Sequence, residues 1–140
     1  MRIERTHWQT HRQQLSHIRR KVFIEEQQVP EELEWDKQDD SAIHLLATQD
    51  DQPVATLRML NDGHIGRMAV LPQYRKQGIG RSLMQTIIDI AHGEGLTEVH
   101  LDAQIQAIPF YQRLGFEAEG EEFMDAGIPH RHMRKRLEQQ

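Results

Sequence analysis

Apolar residues in the first part of the chain recur with the spacing of a helix. The positions that share one helical face are Leu15, Ile18, Val22 and Phe23. Thr10 and Gln13 have the spacing of a capping box, so we expect the helix to begin there and to end before Pro30. A short apolar strand around Ile3 precedes the helix, and the acidic, glutamine-rich residues 25–40 that follow it are predicted to be irregular.

The middle of the chain alternates between strand-like stretches and turns. Residues 42–48 and 54–60 are rich in apolar side chains, and residues 50–53 between them have the composition of a turn, which predicts a hairpin. A second turn at residues 61–63 leads into a third strand over residues 64–70. The pattern therefore predicts three successive antiparallel strands.

The second half of the chain changes period. Apolar residues spaced for one buried helical face are Ile79, Leu83, Ile87, Ile88 and Ala91, and Gly95 is suited to end that helix. A strand over residues 99–103, a short helix over 108–114 and two closing strands over 116–124 and 130–137 follow. This order predicts an α/β fold with a mixed sheet and helices on both faces, in one domain that covers residues 1–140.

Composition narrows the functional classes. The chain has 17 basic and 22 acidic side chains, a net charge of −5, and no cysteine. Disulfide scaffolds, thiolate metal centres and cysteine nucleophiles are therefore excluded, and the acidic balance argues against nucleic acid and anionic membranes as partners. No apolar run reaches the ~18 residues of a membrane span and no signal-peptide stretch begins the sequence, so we expect a cytoplasmic protein.

Nine histidines raise the question of a metal site. His7 and His11 have a spacing of four residues but no acidic partner that completes a site, and His130 and His132 stand alone in the tail. We therefore predict no bound metal.

The loop before the second long helix has the composition of an anion site. Gly78 and Gly80 carry no side chain that would hold a phosphate away from the first N–H groups of the helix. Arg75, Lys76 and Arg81 add positive charge at the same point. Neither a Walker loop nor a dinucleotide fingerprint is present. The alternative is a helix start loosened by glycine, with solvated basic side chains.

These residues carry a resemblance to a known family. Residues 75–80, with the sequence RKQGIG, resemble the Arg/Gln-x-x-Gly-x-Gly/Ala signature of the GNAT superfamily of acyl-CoA-dependent N-acetyltransferases. Residues 66–72 resemble the fourth strand of that family, and residues 108–116 resemble its Phe-Tyr-x-x-x-Gly-Phe block. Residues 22–30 and 127–130 further resemble the small bacterial ElaA-like subgroup. Together the matching stretches cover most of the chain.

The resemblance implies a GNAT-type, mainly antiparallel sheet and acetyl-CoA as co-substrate. The pantetheine would pair like an extra strand between splayed strands, and the pyrophosphate would lie on the N–H groups of residues 77–82. The residues that the resemblance assigns to cofactor binding are Met68, Ala69, Val70, Arg75, Lys76, Gln77, Gly78, Ile79, Gly80, Arg81 and Ser82. The acceptor would be a primary amine of a small molecule or peptide, held by the first helix's end, residues 25–40 and the closing hairpin near His130.

Amine attack on a thioester needs a neutral nucleophile, donors at the developing oxyanion and a proton for the departing thiolate. Tyr111 matches the family position that protonates the thiolate. Glu25 and Glu26 could deprotonate the amine, and Glu26 is the candidate base. The acids of residues 25–40 favour a cationic amine, whereas Arg67, which stands where some members carry a glutamate base, favours an acidic group on the acceptor.

A second functional class stays open. The chain could be a non-catalytic acyl-CoA-binding or regulatory module that keeps the anion site without turnover. Tyr111 argues against this alternative, and the absence of a securely identified base argues for it. Besides binding the amine, the chain could pair with a second copy of itself in a homodimer.

Overall fold

The computed structural model describes residues 1–138. Its helices and strands, in chain order, are β1 (Arg2–Thr6), α1 (Trp8–Arg19), α2 (Glu31–Glu34), β2 (Ile43–Gln49), β3 (Gln52–Met59), β4 (Ile65–Val70), α3 (Ile79–Gly93), β5 (Glu98–Gln104), α4 (Ile108–Arg113), β6 (Glu117–Asp125) and β7 (Ile128–Arg136). A π-helical turn (Arg20–Glu26) continues α1, and 3-10 turns cover Lys37–Asp40, Pro72–Tyr74 and Ile105–Ala107. No helix in this part of the chain is long and apolar enough to cross a membrane.

The strands form two antiparallel sheets that meet at one point. The first sheet has the order β1-β2-β3-β4 and the second has the order β5-β7-β6. Within residues 1–138, one parallel bridge joins them, between His64 and His100 at the start of β4 and β5. The predicted mixed, mainly antiparallel α/β architecture is therefore confirmed, as are the three successive antiparallel strands β2, β3 and β4.

The two long helices cover opposite faces of the first sheet. On β2, Leu45 and Ala47 pack in the cluster that contains α3, whereas Leu46 packs with Leu15 and Ile18 of α1. Successive strand residues point to opposite faces, so this alternation puts one helix on each side. The helical period of the sequence therefore identified both buried helix faces.

Two local predictions are wrong. The Thr10 and Gln13 capping box does not form, because α1 begins at Trp8 and the Thr10 hydroxyl donates to the His7 carbonyl at 3.1 Å instead of accepting a helical N–H. The first hairpin turn is also shorter than residues 50–53. Asp50 and Asp51 adopt φ values of +52° and +62°, the backbone of a tight two-residue turn, so β3 already begins at Gln52.

Residues 25–40 are not irregular, contrary to the sequence prediction. They contain the end of the π-helical turn, α2 and a 3-10 turn, and they bury the carboxylates of Glu34 and Asp39. The Arg19 guanidinium donates to Glu34 Oε2 and to Asp39 Oδ1, both at 2.7 Å, and lies 5.3 and 5.1 Å from the ring centroids of Trp8 and Trp35. The segment lacks a hydrophobic period because ion pairs with arginines of other elements order it.

Arg19→Met is expected to lower the free energy of unfolding by about 3–5 kcal/mol, because it leaves two buried carboxylates without their shared partner. Urea unfolding followed by circular dichroism measures the change. The matched control is Arg20→Met, since the ion pair of Arg20 with Glu31 is exposed on both sides and should add little. Equal shifts of the urea midpoint in the two variants would contradict a stabilising role for the buried ion pairs.

Candidate active site

A gap opens between β4 and β5. Beyond the bridge between His64 and His100, β4 and β5 are no longer paired, because they belong to separate sheets. The edge of β4 that faces β5 therefore has no strand partner within residues 1–138. On its other edge, β4 pairs with β3. A β-bulge interrupts this pairing, so that two residues of β4, Arg67 and Met68, lie opposite one residue of β3. Arg67 there has a φ of +51°. The bulge leaves backbone groups outside the ladder at the middle of the gap.

The N-terminus of α3 lies where β4 ends. Gly78 is its N-cap with a φ of +84°, and a Cβ added there would have open space around it. The first turn contains no acidic residue. The N–H groups of Ile79, Gly80 and Arg81 have no intrahelical acceptor because of their position, and the positive end of the helix dipole lies with them. This geometry suits a phosphate-bearing ligand.

The residues predicted to contact the phosphate differ in which of their groups a ligand could reach. Lys76, Gln77 and Arg81 are exposed next to the helix start, whereas the side chain of Ile79 is buried in the core, which leaves only its backbone for a ligand. The N–H of Ser82 donates to the Gly78 carbonyl at 3.0 Å. The row of free helical N–H groups therefore ends one residue earlier than the sequence predicted.

Arg75 and Glu26 form a fork across the mouth of the gap. The two terminal nitrogens of Arg75 donate to the two carboxylate oxygens of Glu26 at 2.7 and 2.6 Å, and its Nε donates to the Val70 carbonyl at 2.9 Å. The hydrogen bond from Arg75 lowers the pKa of Glu26. Both oxygens of Glu26, the candidate base, are thus occupied, and Glu26 does not line the cavity at the gap. This geometry favours a role for Glu26 in holding Arg75, and its base role stays a prediction.

A cavity of about 370 Å³ lies at the gap. It is bounded by β4, β5 and α4, by Phe23 near the end of the first helix, by Leu33 and Glu34, and by Ile128 and His130 of the closing hairpin. Phe23, Leu33, Glu34 and His130 belong to the segments that the sequence predicted around an acceptor, and the binding of an acceptor there stays a prediction. No group of three or more potential metal ligands was found among residues 1–138.

Tyr111 lies on α4 and faces this cavity. Its ring packs edge-on against Phe110, at 5.0 Å between centroids, and against Phe116, at 6.0 Å. Phe110 also lies 3.7 Å from where a Gly80 Cβ would be, so α4 contacts the start of α3. Burial raises the pKa of Tyr111 to about 12. The hydroxyl therefore keeps its proton at neutral pH and is available as a proton donor.

Three acids of residues 25–40, Glu34, Asp36 and Asp39, are paired with arginines. Arg67 lies 3.3 Å from Glu34 and 3.4 Å from Asp36, measured between charged atoms, and Arg58 donates to Asp36 and Asp39 at 2.8 and 3.0 Å. Together with Arg19, three arginines balance three carboxylates. Because these charges are paired within the fold, they identify neither a cationic nor an acidic acceptor, and the charge of the acceptor stays a prediction.

Sequence reasoning missed a set of polar residues at the closed end of the gap. The rings of His64 and His100 stack, and the His132 ring is tilted by 44° against that of His100. Asp102 lies between His64 and His132. The alternation of His100 with Asp102 on one strand is visible in the sequence. Their meeting with His64 and His132 depends on strand register, which the sequence did not supply.

Comparisons with known proteins match most of this chain to one family. Residues 9–137 match the family model described as an acetyltransferase (GNAT) domain. The chain is 37% identical over 123 residues to the uncharacterized N-acetyltransferase YjcF of Bacillus subtilis, covering 85% of this chain and 88% of that protein. It is 41% identical over 126 residues to the uncharacterized protein YyaT of the same organism, covering 86% and 85%.

Solved structures of similar proteins share the whole fold. Escherichia coli ElaA superposes with a TM-score of 0.86 at 27% identity, covering 96% of this chain and 99% of that one. An acyl-CoA N-acyltransferase from Pseudomonas aeruginosa gives a TM-score of 0.85 at 32% identity, covering 96% and 98%. Both likenesses extend over almost the whole chain.

Proposed function

Because this chain belongs to the GNAT acetyltransferase family, we propose that it transfers an acetyl group from acetyl-CoA to a primary amine of a small molecule or peptide. Family membership supports acyl transfer from acyl-CoA in general. The observation that carries the finer proposal is the convergence of three features: the unpaired edge of β4, the free N–H groups of α3 and the side chain of Tyr111 at the cavity.

In this proposal the donor lies along the gap. The pantetheine runs beside the backbone of Met68, Ala69 and Val70 as an added strand, so its amides find partners that β5 does not supply. The pyrophosphate lies on the N–H groups at the start of α3. The side chains or backbone groups that would surround it are those of Arg75, Lys76, Gln77, Gly78, Ile79, Gly80, Arg81 and Ser82.

The thioester then comes next to groups suited to the reaction. Backbone N–H groups freed by the bulge at Arg67 and Met68 can donate to the oxygen as negative charge develops on it. Tyr111 gives its proton to the departing thiolate. Burial raises the pKa of Tyr111 to about 12 because it disfavours the phenolate. The same surroundings disfavour the thiolate, so they raise the pKa of the CoA thiol as well and favour proton transfer to the sulfur.

The proposed activity is tested by measuring thiol release from acetyl-CoA with a panel of cationic, zwitterionic and uncharged primary amines. Mass spectrometry of the product should show one added acetyl group on the amine. CoA that binds tightly, as measured by calorimetry, without turnover of any amine would contradict the catalytic proposal and support the non-catalytic binding module.

Glu26→Gln separates the two roles of that carboxylate. If Glu26 positions Arg75, we expect the KM for acetyl-CoA to rise severalfold while kcat and its pH dependence stay close to wild type. The matched control is Glu25→Gln, whose carboxylate pairs only with the exposed Lys21 among the described residues. Steady-state kinetics with the best amine of the panel provides both values. A fall in kcat of about 100-fold or more with unchanged KM would instead support Glu26 as the base.

A further inference from the structure

One face of the second sheet carries a row of imidazoles and carboxylates. His100 and Asp102 alternate on β5, so both point to the face opposite the core residues of that strand. Asp102 is paired in register with His132 of β7, and the bridge puts His64 beside His100. The His64 and His100 rings stack with centroids 4.9 Å apart and planes 19° apart, and the His132 ring is 5.4 Å from that of His100.

Asp102 connects this row to the cavity and to solvent. Its Oδ2 is 3.6 Å from His64 Nε2, and its Oδ1 is 2.8 Å from His132 Nδ1. The Nε2 of His132 is in turn 3.5 Å from an oxygen of Glu119, whose side chain is 49% exposed. His64 and Asp102 line the same cavity as Tyr111. A path through His64, Asp102, His132 and Glu119 therefore leads from the cavity to the protein surface.

The surroundings of His64 keep its ring neutral. Burial lowers the pKa of His64, and His100 and Arg58 lower it further, whereas Asp102 and Asp62 oppose the shift. Because the ordinary value is about 6.5, the ring is unprotonated at pH 7. Asp102 faces Nε2, which favours the tautomer with the proton on that nitrogen and leaves a lone pair on Nδ1.

We propose that His64 is the general base of the acyl transfer, with Asp102 as the residue that positions its ring. His132 and Glu119 then provide the path by which the proton reaches solvent. This inference rests on the proposed function and adds to it the base that the sequence did not identify. A neutral imidazole in the reaction cavity is a better proton acceptor for an amine than a carboxylate held in a fork by arginine.

The proton balance of the reaction needs one such acceptor. The ammonium substrate loses one proton to His64, and the resulting amine nitrogen forms a bond to the thioester carbon. The carbon–sulfur bond then breaks with its electron pair on sulfur, which takes the proton of Tyr111. The nitrogen of the adduct returns a proton to Tyr111. The products are an amide, CoA as the thiol, and one proton that leaves from His64.

The pH dependence of kcat/KM tests this proposal with the full-length protein. Wild type should lose activity as the pH falls through a midpoint below about 6.5, where His64 becomes protonated. His64→Gln should lower kcat/KM by about 100- to 10,000-fold at pH 7 and remove that midpoint, with the affinity for CoA unchanged.

Two neighbouring variants should shift the midpoint in opposite directions. Asp102→Asn removes a charge that raises the pKa of His64, so the midpoint should move to lower pH with a partial loss of rate. His100→Gln is the matched control, because His100 stacks on His64 but does not line the cavity. It removes a group that lowers the same pKa, so the midpoint should move to higher pH with kcat near wild type.

The outcomes separate the base from the proposed activity. Turnover by wild type together with an unchanged midpoint in His64→Gln would overturn the role of His64 and leave the acyl transfer intact. Failure of wild type to acetylate any amine would overturn both. Where His64→Gln does not fold, the pKa of His64 measured by NMR in wild type must coincide with the kinetic midpoint, and a mismatch would refute the proposal.

Discussion

Gly80→Glu should weaken the binding of CoA by at least about 100-fold, equivalent to about 2.7 kcal/mol. Gly80 lies in the first turn of α3, where the free N–H groups and the positive end of the helix dipole would meet the pyrophosphate. A glutamate adds both bulk and negative charge at that point, and like charges repel strongly there. Isothermal calorimetry with CoA measures the loss, and the melting temperature should no longer rise with added CoA.

Two further glycine variants separate bulk, charge and folding. A Cβ at Gly80 would lie 3.7 Å from Phe110 and 3.9 Å from Met68, which is ordinary contact, so Gly80→Ala should fold and lose less affinity. Gly93→Glu adds the same charge near the other end of α3, where a Cβ would meet no neighbouring atom. Unchanged CoA affinity in a folded Gly80→Glu variant would rule out the anion site at this helix start.

Tyr111→Phe is expected to lower kcat by about 10- to 10,000-fold while CoA affinity and stability stay close to wild type. The substitution keeps the ring that packs against Phe110 and Phe116. It removes a hydroxyl that makes no hydrogen bond to residues 1–138, so the fold loses no internal partner. Single-turnover kinetics with a saturating amine measures the chemical step.

The second tyrosine of the chain supplies the control. Tyr74 is half-buried and packs against the main core, but it does not line the cavity. Tyr74→Phe should therefore leave kcat within a few-fold of wild type. Equal rates for Tyr111→Phe and wild type, measured where chemistry limits turnover, would reject Tyr111 as the acid and indicate that solvent protonates the thiolate.

The regular elements could be predicted from the sequence because their signals are local. Leu83 and Ile87 repeat with the helical period on α3, and the strands before it alternate with turns, so each element is specified within a few neighbouring residues. The order of residues 25–40 could not be predicted in this way. It depends on Arg19 and Arg58, which come from α1 and β3 and meet Asp39 only in the folded chain.

In the candidate site, too, some features have local sequence signals and others depend on contacts made only in the folded chain. The start of α3 is recognisable because its glycines and basic residues are adjacent in the sequence, and Tyr111 is recognisable from the block around it. The row formed by His64, Asp102 and His132 required the register between three strands from two sheets. The fork that occupies Glu26 likewise joins residues 49 positions apart, and no local pattern indicates it.

A crystal structure of the complex with acetyl-CoA would show directly whether the gap between β4 and β5 holds the reacting thioester. We expect the pantetheine amides to hydrogen-bond to the backbone of Met68–Val70, and the pyrophosphate to accept from the N–H groups at the start of α3. The sulfur should lie within roughly 3.5 Å of the Tyr111 hydroxyl, and the acetyl group should face the cavity that contains His64. Acetyl-CoA bound outside the gap, or with its sulfur pointing away from Tyr111, would contradict the claim.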